Sequence, residues 1–353
     1  GPRRVGKTTI LNDFLNHCSF AYKLASGDSI VAQEILSSQN FERIKEYAAG
    51  YELIAIDEAQ KIPHVVQCIK ILVDQVSGIR VIATGSSSFE LSGQVGEPLT
   101  GRKHTLTLYP IAQLELAKLH NRFELQERLH HWLIFGTYPE VVVAGTNSEK
   151  QKILEEITHS YLLKDILELE RVKGSKVLLD LLRLIAFQIG SEVSLSELAA
   201  QVGIDVKTVA RYLDLFEKSY VLYNLRGFSK NLRKEVTKKS KYYFYDTGVR
   251  NTIISNFNDI PLRNDVGVLW ENFLVIERLK KMSYSSLYAN SYFWRTWDQQ
   301  EIDLVEEREG KLFGYEFKWK EQRTSKPPRD WHASYPEASH ETITRENYLD
   351  FIL

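Results

Sequence analysis

GPRRVGKTT, at residues 1–9, fits the pattern GxxxxGK[ST] without a mismatch. The glycines allow successive backbone N–H groups to curl around an anion, Lys7 can reach the β and γ phosphates, and the Thr8 hydroxyl can ligate Mg²⁺. Apolar residues follow at helical spacing, so the loop opens onto a helix whose positive N-terminal end faces the phosphates. The stretch predicts a site for ATP and Mg²⁺, and its expected nucleotide-binding residues also include Gly1, Arg4, Gly6 and Thr9.

Short apolar runs alternate with helical stretches over residues 1 to about 110, which is typical of a parallel sheet covered by helices. The strand that should feed the phosphate loop would precede Gly1, so we expect the chain to be truncated at its N-terminus. We therefore predict an α/β fold that begins with a P-loop NTPase sheet lacking its first strand. The predicted strands are Phe20–Ala25, Leu53–Ile56, Arg80–Thr84 and His104–Leu108.

Two acidic residues follow the second of these strands, in IDEAQ at residues 56–60. An apolar strand that delivers acids at its carboxyl end is the expected partner of a phosphate loop. We expect Asp57 to hold Mg²⁺, directly or through water, and Glu58 to orient or polarise the water that attacks the γ-phosphate. The alternative, two solvated loop acids, leaves the correct order and spacing of the two motifs unexplained.

Two further residues are candidates for the ATP site. Ser86 follows the third predicted strand, where its hydroxyl could lie beside the γ-phosphate; a simple Gly-Ser turn is the alternative. Arg102 precedes the last predicted strand, the place from which ring-forming ATPases project an arginine into a neighbouring subunit. That role requires a homo-oligomer, and an ordinary surface arginine is the alternative.

The composition indicates large folded domains. A chain of 353 residues with 43% hydrophobic residues can form two or three cores. Lys and Arg number 45 against 46 Asp and Glu, so any contact with nucleic acid must be local. The two cysteines, Cys18 and Cys68, have no metal-ligand spacing and fit a reducing compartment. No apolar run approaches the roughly 18 residues of a membrane span, so we expect a cytoplasmic protein that does not enter the membrane.

The middle of the chain is rich in helical patterns. From about residue 114 to 183 they are interrupted once, at FGTYPE, residues 135–140. Three helical signals follow, with Gly203 between the last two: Val177–Gln188, Ser196–Val202 and Asp205–Ser219. Their small residues and tight turn are typical of a helix-turn-helix, whose recognition helix would carry Lys207, Thr208 and Arg211.

Two strand-like runs come next, Val221–Gly227 and Lys241–Tyr245, with a basic segment between them. With the preceding helices they predict a winged helix whose wing contacts DNA phosphates in a salt-dependent and largely sequence-neutral way. A winged helix that only packs domains together is the alternative. The cations of this segment are Lys230, Arg233, Lys234, Lys238, Lys239 and Lys241.

Two charged strands, EIDLV at residues 301–305 and YEFKW at 315–319, predict a hairpin that turns around Glu309-Gly310. If the turn is tight, each residue i of the first strand faces residue 619 minus i of the second. Asp303 then faces Glu316. By the same rule Glu301 faces Lys318, and all four side chains share one face of the sheet.

Opposed side chains on such a face lie about 5 Å apart, which suits a divalent metal held between Asp303 and Glu316. Lys318 would then orient the attacking water, and Glu271, on a predicted helix at residues 269–281, could add an acidic ligand. A charged hairpin with cross-strand salt bridges is the alternative.

Seven segments spread over nearly the whole chain carry a family resemblance: GPRRVGKTT, IDEAQKIP, TGSSS, LTGR followed by YPI, FGTYPEVV, YFYDTG and WENF. They resemble the AAA-like ATPases of bacteria and archaea that carry a C-terminal domain of unknown function with a nuclease-like core. The resemblance implies ATP binding and hydrolysis, a helical lid and a winged helix, and a restriction-endonuclease-like end. In that PD-(D/E)xK-like end, the working residues would be Glu271, Asp303, Glu316 and Lys318.

These expectations combine into an ATP-dependent switch of AAA type that acts on or near double-stranded DNA. Two alternatives stay open: an ATP-gated, metal-dependent nuclease, and a regulatory adaptor that binds a protein through its winged helix. The predicted domains are an ATPase core at residues 1–112, a helical lid at 113–175, a winged helix at 176–250 and a restriction-endonuclease-like domain at 251–353.

Overall fold

The structure, a computed structural model, describes residues 1–86, 101–162, 175–228, 240–320 and 326–353. Side chains are not described at 160–162 and 175. The chain forms two compact units, one of residues 1–108 with 218–220 and one of residues 109–217 with 221–353. No helix in these ranges is both long enough and apolar enough to cross a membrane.

The first unit has a parallel sheet of three strands in the order β1-β2-β3, which confirms three of the predicted strands. They are β1 (Tyr22–Ser26), β2 (Leu53–Asp57) and β3 (Arg80–Ala83). The helices of this unit are α1 (Lys7–His17), α2 (Ile30–Leu36), α3 (Phe41–Ala48) and α4 (Val65–Gln75).

Strand β2 is buried on both faces, as expected for the central strand of a parallel sheet. Ile54 and Ile56 point into the larger core, whose other members come mostly from α2, α3 and α4. Leu53 and Ala55 point the opposite way and pack with apolar residues of α1. Alternate side chains of β2 therefore pack against α1 on one face of the sheet and against α2, α3 and α4 on the other.

The predicted strand at His104–Leu108 is wrong, because these residues have no regular secondary structure. An apolar run becomes a strand only through ladder hydrogen bonds to a neighbour. In the described part of the first unit, the sheet contains only β1, β2 and β3, so no ladder forms with this segment.

The second unit contains a mixed sheet of seven strands in the order β10-β9-β8-β7-β5-β6-β4. Two neighbouring pairs, β10 with β9 and β5 with β7, are parallel, and the others are antiparallel. The strands are β4 (Glu192–Val193), β5 (Leu222–Gly227), β6 (Ser240–Phe244), β7 (Asn290–Arg295), β8 (Glu301–Arg308), β9 (Lys311–Phe317) and β10 (Ser339–Ile343).

Helices of the second unit lie before, between and after these strands. Before β4 they are α5 (Gln113–Leu116), α6 (Arg122–Glu127), α7 (Leu129–Phe135), α8 (Pro139–Val143), α9 (Asn147–Glu156), a π-helical turn (Ile157–Leu162) and α10 (Ser175–Phe187). The later helices are α11 (Leu195–Val202), α12 (Val206–Lys218), α13 (Thr247–Ile253), α14 (Val266–Tyr284), α15 (Arg329–Ser334) and α16 (Tyr348–Ile352).

The three helical signals expected after residue 176 are confirmed as α10, α11 and α12. Gly203 ends α11 with a φ of 71°, in the left-handed region that glycine adopts without strain. Asp205 then begins α12, because its carboxylate accepts a hydrogen bond from the backbone N–H of Thr208 at 2.9 Å. One left-handed glycine and one capping aspartate thus make the tight turn between the two helices.

The predicted hairpin and its register are confirmed from Leu304, which pairs with Tyr315, to Arg308, which pairs with Lys311. The ladder does not extend to the predicted pairs of Asp303 with Glu316 and of Glu301 with Lys318, because the Asp303 carboxylate accepts from the N–H of Phe317 and Glu301 pairs with Lys241. The strand β9 ends at Phe317, one residue before Lys318. The backbone N–H of Lys318 instead donates to the carbonyl of Ile343 at 2.9 Å, so β10 fixes where Lys318 leaves the sheet.

Candidate functional site

The phosphate loop ends where Gly6 caps α1 with a φ of 95°. No side chain caps this helix end, so no side-chain acceptor there competes with an anion for the N–H groups of the first turn. The Lys7 ammonium folds back over the loop and donates to the carbonyl oxygens of Gly1 at 3.1 Å and Pro2 at 2.5 Å. Arg4 also has a positive φ, of 60°, so the loop has two left-handed turns of backbone.

Asp57 joins the phosphate loop to the strand ends. One of its carboxylate oxygens accepts a hydrogen bond from the Thr8 hydroxyl at 2.8 Å, and the other accepts from the Thr84 hydroxyl. The structure therefore brings together Thr8 and Asp57, the two predicted Mg²⁺ ligands, although 49 positions separate them in the chain.

Glu58 lies beside this contact with a φ of 52°, which turns its backbone out of the strand. Its N–H donates to the Thr84 hydroxyl at 3.2 Å. Gln60 donates from its side-chain amide both to the Glu58 carboxylate, at 2.7 Å, and to the Ser86 hydroxyl, at 3.0 Å. Ser86 is buried, and Gln60 connects it to the Glu58 carboxylate.

Sequence reasoning missed Thr84 and Gln60. Ile56 lies opposite Ala83 in the ladder, so the next positions along both strands, Asp57 and Thr84, become neighbours. A hydroxyl residue directly after the third strand was the available signal, but the choice between Thr84 and Ser86 depends on the register.

Two other residues predicted for the ATP site, Thr9 and Arg102, do not contact Asp57 or Glu58 in the described hydrogen bonds. Thr9 is exposed on the first turn of α1. Arg102 is an exposed side chain whose guanidinium forms a salt bridge of 2.5 Å with Asp74 of α4. The role of Arg102 in a neighbouring subunit stays a prediction.

The residues present fit a nucleotide with Mg²⁺. Gly6 has open space where a side chain would project, so an anion can approach the backbone closely. Thr8 and Asp57 offer hydroxyl and carboxylate oxygens, the ligand types that Mg²⁺ prefers. The nucleotide would supply the bond to be hydrolysed, and the chain would supply the loop, the acids and the hydroxyl contacts that position them.

A second group of charged residues lies in the other unit, around Lys241 of β6. The Lys241 ammonium is buried and forms salt bridges with Glu271 of α14, at 3.3 Å, and with Glu301 of β8. Tyr243 donates from its hydroxyl to the same Glu271 carboxylate at 2.6 Å. Lys241 was predicted as a cation of the wing; this is wrong, because β6 turns its side chain inward against two carboxylates.

Asp303 belongs to the same group. Burial, and after it the charge of Glu271, raise the pKa of its carboxyl from 3.8 to about 7. Lys241 opposes that rise in pKa, as does the hydrogen bond that the N–H of Phe317 donates to Asp303 at 2.7 Å. A carboxyl with a pKa near neutrality can exchange a proton at physiological pH.

Glu316 and Lys318 form a salt bridge of 2.6 Å beside this group. Burial lowers the pKa of the Lys318 ammonium, but the Glu316 hydrogen bond and the charges of Asp303 and Glu271 outweigh it, so the pKa is raised. The other three residues predicted for a nuclease site, Glu271, Asp303 and Glu316, thus all raise the pKa of Lys318. Within the described ranges, however, no group of three or more His, Cys, Asp and Glu side chains is arranged to hold a metal ion.

The predicted DNA contacts are only partly described. Lys207 and Arg211 lie on the exposed side of α12, whereas the Thr208 hydroxyl donates to Asp205 at 2.6 Å. The remaining predicted contacts lie outside the described residues: Lys230, Arg233, Lys234, Lys238 and Lys239.

Comparison with protein families divides the chain into three matched segments. Residues 1–117 match a family described as an AAA domain. Residues 126–259 match a domain of unknown function (DUF8612), and residues 266–347 match another (DUF4143). The AAA match covers the phosphate loop, both acids and Thr84, and it implies nucleotide binding by the first unit.

Similar chains occur in bacteria and archaea. An uncharacterized protein of Mycobacterium tuberculosis is 26% identical over 333 residues, which is 93% of this chain and 70% of that protein. An uncharacterized protein of Methanocaldococcus jannaschii is 23% identical over 296 residues, 78% of this chain and 65% of that one. A crystal structure of a Vibrio cholerae protein aligns over 97% of this chain and 92% of its own at 9% identity, with a TM-score of 0.17, too low to indicate a shared fold.

Proposed function

We propose that this chain, an N-terminal AAA domain followed by two domains of unknown function, is an ATP-hydrolysing switch that acts on or near DNA. The observation that carries the proposal is the 2.8 Å hydrogen bond between Thr8 and Asp57. It links the phosphate loop to the acidic strand end, where Thr8 and Asp57 would hold a Mg²⁺ ion, and that ion would neutralise negative charge on the phosphates.

Each residue of the ATP site has a defined part in the proposed reaction. Lys7 releases the loop carbonyls and moves to the phosphates when a nucleotide binds. Glu58 orients the attacking water, and its carboxylate is held in place by the Gln60 amide at 2.7 Å. Thr84 holds Asp57 and the Glu58 backbone in register with each other.

Action on DNA is supported by the arrangement around α12. Along the chain the elements run α10, β4, α11, α12, β5 and β6, and the three strands pair antiparallel in the order β5-β6-β4. This order of helices and strands supports our proposal of a winged helix. The exposed Lys207 and Arg211 would contact phosphates. Two acids, Asp205 and Asp214, lie on the same exposed side, so we expect weak and strongly salt-dependent binding.

The test is ATP hydrolysis by the full chain with and without double-stranded DNA, beside Lys7→Ala and Glu58→Gln. We expect DNA-stimulated turnover that is lost in Lys7→Ala. Glu58→Gln should still bind ATP but hydrolyse it about 10²–10⁴-fold more slowly, the usual contribution of a general base. Wild-type turnover in Glu58→Gln would refute the catalytic role of Glu58.

Turnover that ignores DNA would point instead to a protein partner. Retention of the chain on immobilised duplex DNA at low salt separates these cases, because an adaptor for proteins should pass through unretained. Such an outcome would refute the DNA part of the proposal and leave ATP hydrolysis standing.

A second candidate function, an ATP-gated and metal-dependent nuclease, is favoured by two neighbouring contacts: the 2.6 Å salt bridge of Lys318 with Glu316 and the hydrogen bond that Asp303 accepts from the N–H of Phe317. It predicts nicking of DNA that needs Mg²⁺ or Mn²⁺ and disappears in Asp303→Ala and in Lys318→Ala. Unchanged cleavage in both variants would assign the nicking to a contaminant and reject this function. Glu309→Ala, in the turn of the same hairpin and far from the acids in the ladder, is the matched control.

A further inference from the structure

A cavity of about 750 Å³ lies in the second unit, next to the acidic group around Lys241, since Phe317 and Lys318 line it. It is bounded by the start of α14, by the segment that follows β9 and by His130 of α7. Pockets of roughly 300–1,000 Å³ are the usual size for small ligands. The cavity is therefore large enough for one nucleotide.

Positive charge dominates its wall. Arg263, Lys318, Lys320 and Arg345 line the cavity, and none of the described lining residues is acidic. Two of these cations are neutralised, since Arg263 pairs with Asp265 and Lys318 with Glu316. In the described ranges no carboxylate lies within ion-pair distance of Lys320 or Arg345, so their charges remain available to an anion.

The first residues of the 19-residue helix α14, Val266 and Gly267, also line the cavity. Asp265, which precedes them, makes no capping hydrogen bond with the helix. Arg250 and Arg263 hold its carboxylate and lower its pKa despite burial. Because the two arginines neutralise Asp265, the positive end of α14 adds to the charge of Lys320 and Arg345.

An aromatic surface completes the cavity. The Trp319 ring lies 5.7 Å from the His130 ring, measured between centroids, and the Arg345 guanidinium lies 5.0 Å from its centre. The edge-on contact of Trp319 with the buried Trp270, at 5.5 Å, fixes its orientation. Cations beside a fixed aromatic ring are the combination by which proteins hold the phosphate and the base of single-stranded nucleic acid.

We propose that this cavity binds one nucleotide unit of a single-stranded nucleic acid, with the phosphate against Lys320 and Arg345 and the base against Trp319. The proposal rests on the proposed function, since it names where a nucleic-acid strand contacts the second unit. A strand is favoured over a free nucleotide because Lys318 lines the cavity and also contacts Glu316, beside Asp303. A bound strand can continue from the cavity toward those acids, and a free nucleotide cannot.

The test is fluorescence anisotropy of a labelled twelve-nucleotide oligothymidylate with the full chain, at low salt, with EDTA and without ATP. Lys320→Ala combined with Arg345→Ala should raise the Kd at least tenfold. The slope of log Kd against log salt should fall by about 1.4, because each phosphate contact to a single strand contributes about 0.7.

Two further variants make the result specific to the cavity. Lys118→Ala with Lys152→Ala removes the same charge from exposed sites outside the cavity and should leave the Kd within twofold. Gly267→Leu keeps all charges but fills the cavity, since a side chain there meets open space, and should weaken binding at least tenfold. Thermal melting must place each variant close to the wild type before its Kd is interpreted.

Equal losses of affinity in the cavity variant and the control pair would overturn the proposal, as would wild-type binding by Gly267→Leu. Unlabelled thymidine monophosphate should compete far more weakly than the unlabelled oligonucleotide; equal competition would refute the strand as the ligand. If the cavity variants lose oligonucleotide binding but DNA does not change ATP turnover, only the proposed switch is rejected. DNA-stimulated turnover with unchanged oligonucleotide binding would reject only the cavity.

Discussion

Asp57 accepts hydrogen bonds from two hydroxyl groups that are distant from it in the chain, those of Thr8 and Thr84, which lie 49 and 27 positions away. The sequence predicted the first contact, because both motifs have known roles toward one Mg²⁺ ion. It could not predict the second, because the ladder that places Ile56 opposite Ala83 decides which hydroxyl lies beside the acid. Ser86, two positions later, contacts Gln60 instead.

We expect Thr84→Val to lower ATP turnover at least tenfold with little change in ATP affinity. The substitution leaves the Glu58 N–H without its acceptor and Asp57 without one of its donors, a loss of about 0.5–1.5 kcal/mol for each of these part-buried hydrogen bonds. Steady-state kinetics and nucleotide binding measure the two effects separately. Thr84→Ser keeps the hydroxyl and is the control; a Ser variant as slow as Val would show that the methyl group, not the hydroxyl, matters.

His131 of α7 gives the second unit a pH-dependent stability. Burial, then the charge of Lys150, lowers the pKa of this imidazole from 6.5 to about 4. The unfolded chain therefore binds a proton between pH 6.5 and 4 that the folded chain does not, so stability is complete above pH 6.5 and falls as the pH drops through this window. We expect a loss of about 1–2 kcal/mol after allowing for solvent screening of a half-buried ring.

Urea unfolding of the wild type and of His131→Gln at pH 7.5 and 4.5 isolates this effect. Glutamine can still accept from the Lys150 ammonium but does not titrate, so the difference in stability between the two chains should shrink or reverse at the lower pH. A constant difference across the pH range would show that His131 does not titrate differently in the folded state.

At the scale of elements, α7 and the start of α13 are joined by two glycines. Gly136 ends α7 with a φ of 68°, and a side chain there would meet the Asp246 carboxylate at 2.1 Å. A side chain on Gly248 would meet the carbonyl of Phe135 at the same distance. Asp246 in turn accepts from the N–H of Thr137 at 2.7 Å. FGTYPEVV and YFYDTG, which identified the family in the sequence, are therefore two halves of one structural contact.

Gly136→Ala should destabilise the second unit by about 3 kcal/mol, from the collision with Asp246 and the strained backbone together. Gly145→Ala is the matched control, because its side chain would make an ordinary contact of 3.6 Å with Glu149 and its backbone does not have a positive φ. Thermal melting followed by circular dichroism compares the two. Equal melting temperatures would mean that α7 and α13 move apart at no cost.

Elements were predictable where the pattern is local and less so where it depends on distant partners. The apolar run of β2 and the hairpin of β8 and β9 have their signals within one stretch of chain, and both were predicted with the correct type. His104–Leu108 has the same composition as a strand but no ladder. The inward orientation of the Lys241 side chain could not be predicted either, because its partners Glu271 and Glu301 lie 30 and 60 positions away in the chain.

At the scale of the whole molecule, the sheet of the second unit joins segments that the sequence suggested as separate. Strands β5 and β7 pair in parallel, with Arg226 beside Tyr292. This pairing makes the winged-helix-like strands and the hairpin parts of one seven-stranded sheet. If α12 and the cavity bind nucleic acid as proposed, both ligands would therefore contact elements of the same unit.

A switch has one further requirement, which is that ATP and DNA affect each other's affinity. We expect DNA to change the Kd of a non-hydrolysable ATP analogue by about 5–150-fold, and the analogue to change the Kd of DNA by the same factor, because coupling between two binding sites is reciprocal. The Kd of the analogue is measured with and without DNA, and the Kd of DNA is measured with and without the analogue. Lys7→Ala should abolish the effect of the analogue on DNA while leaving DNA binding in its absence unchanged. Affinities that are independent in both titrations would show that the chain carries two binding sites but no switch between them.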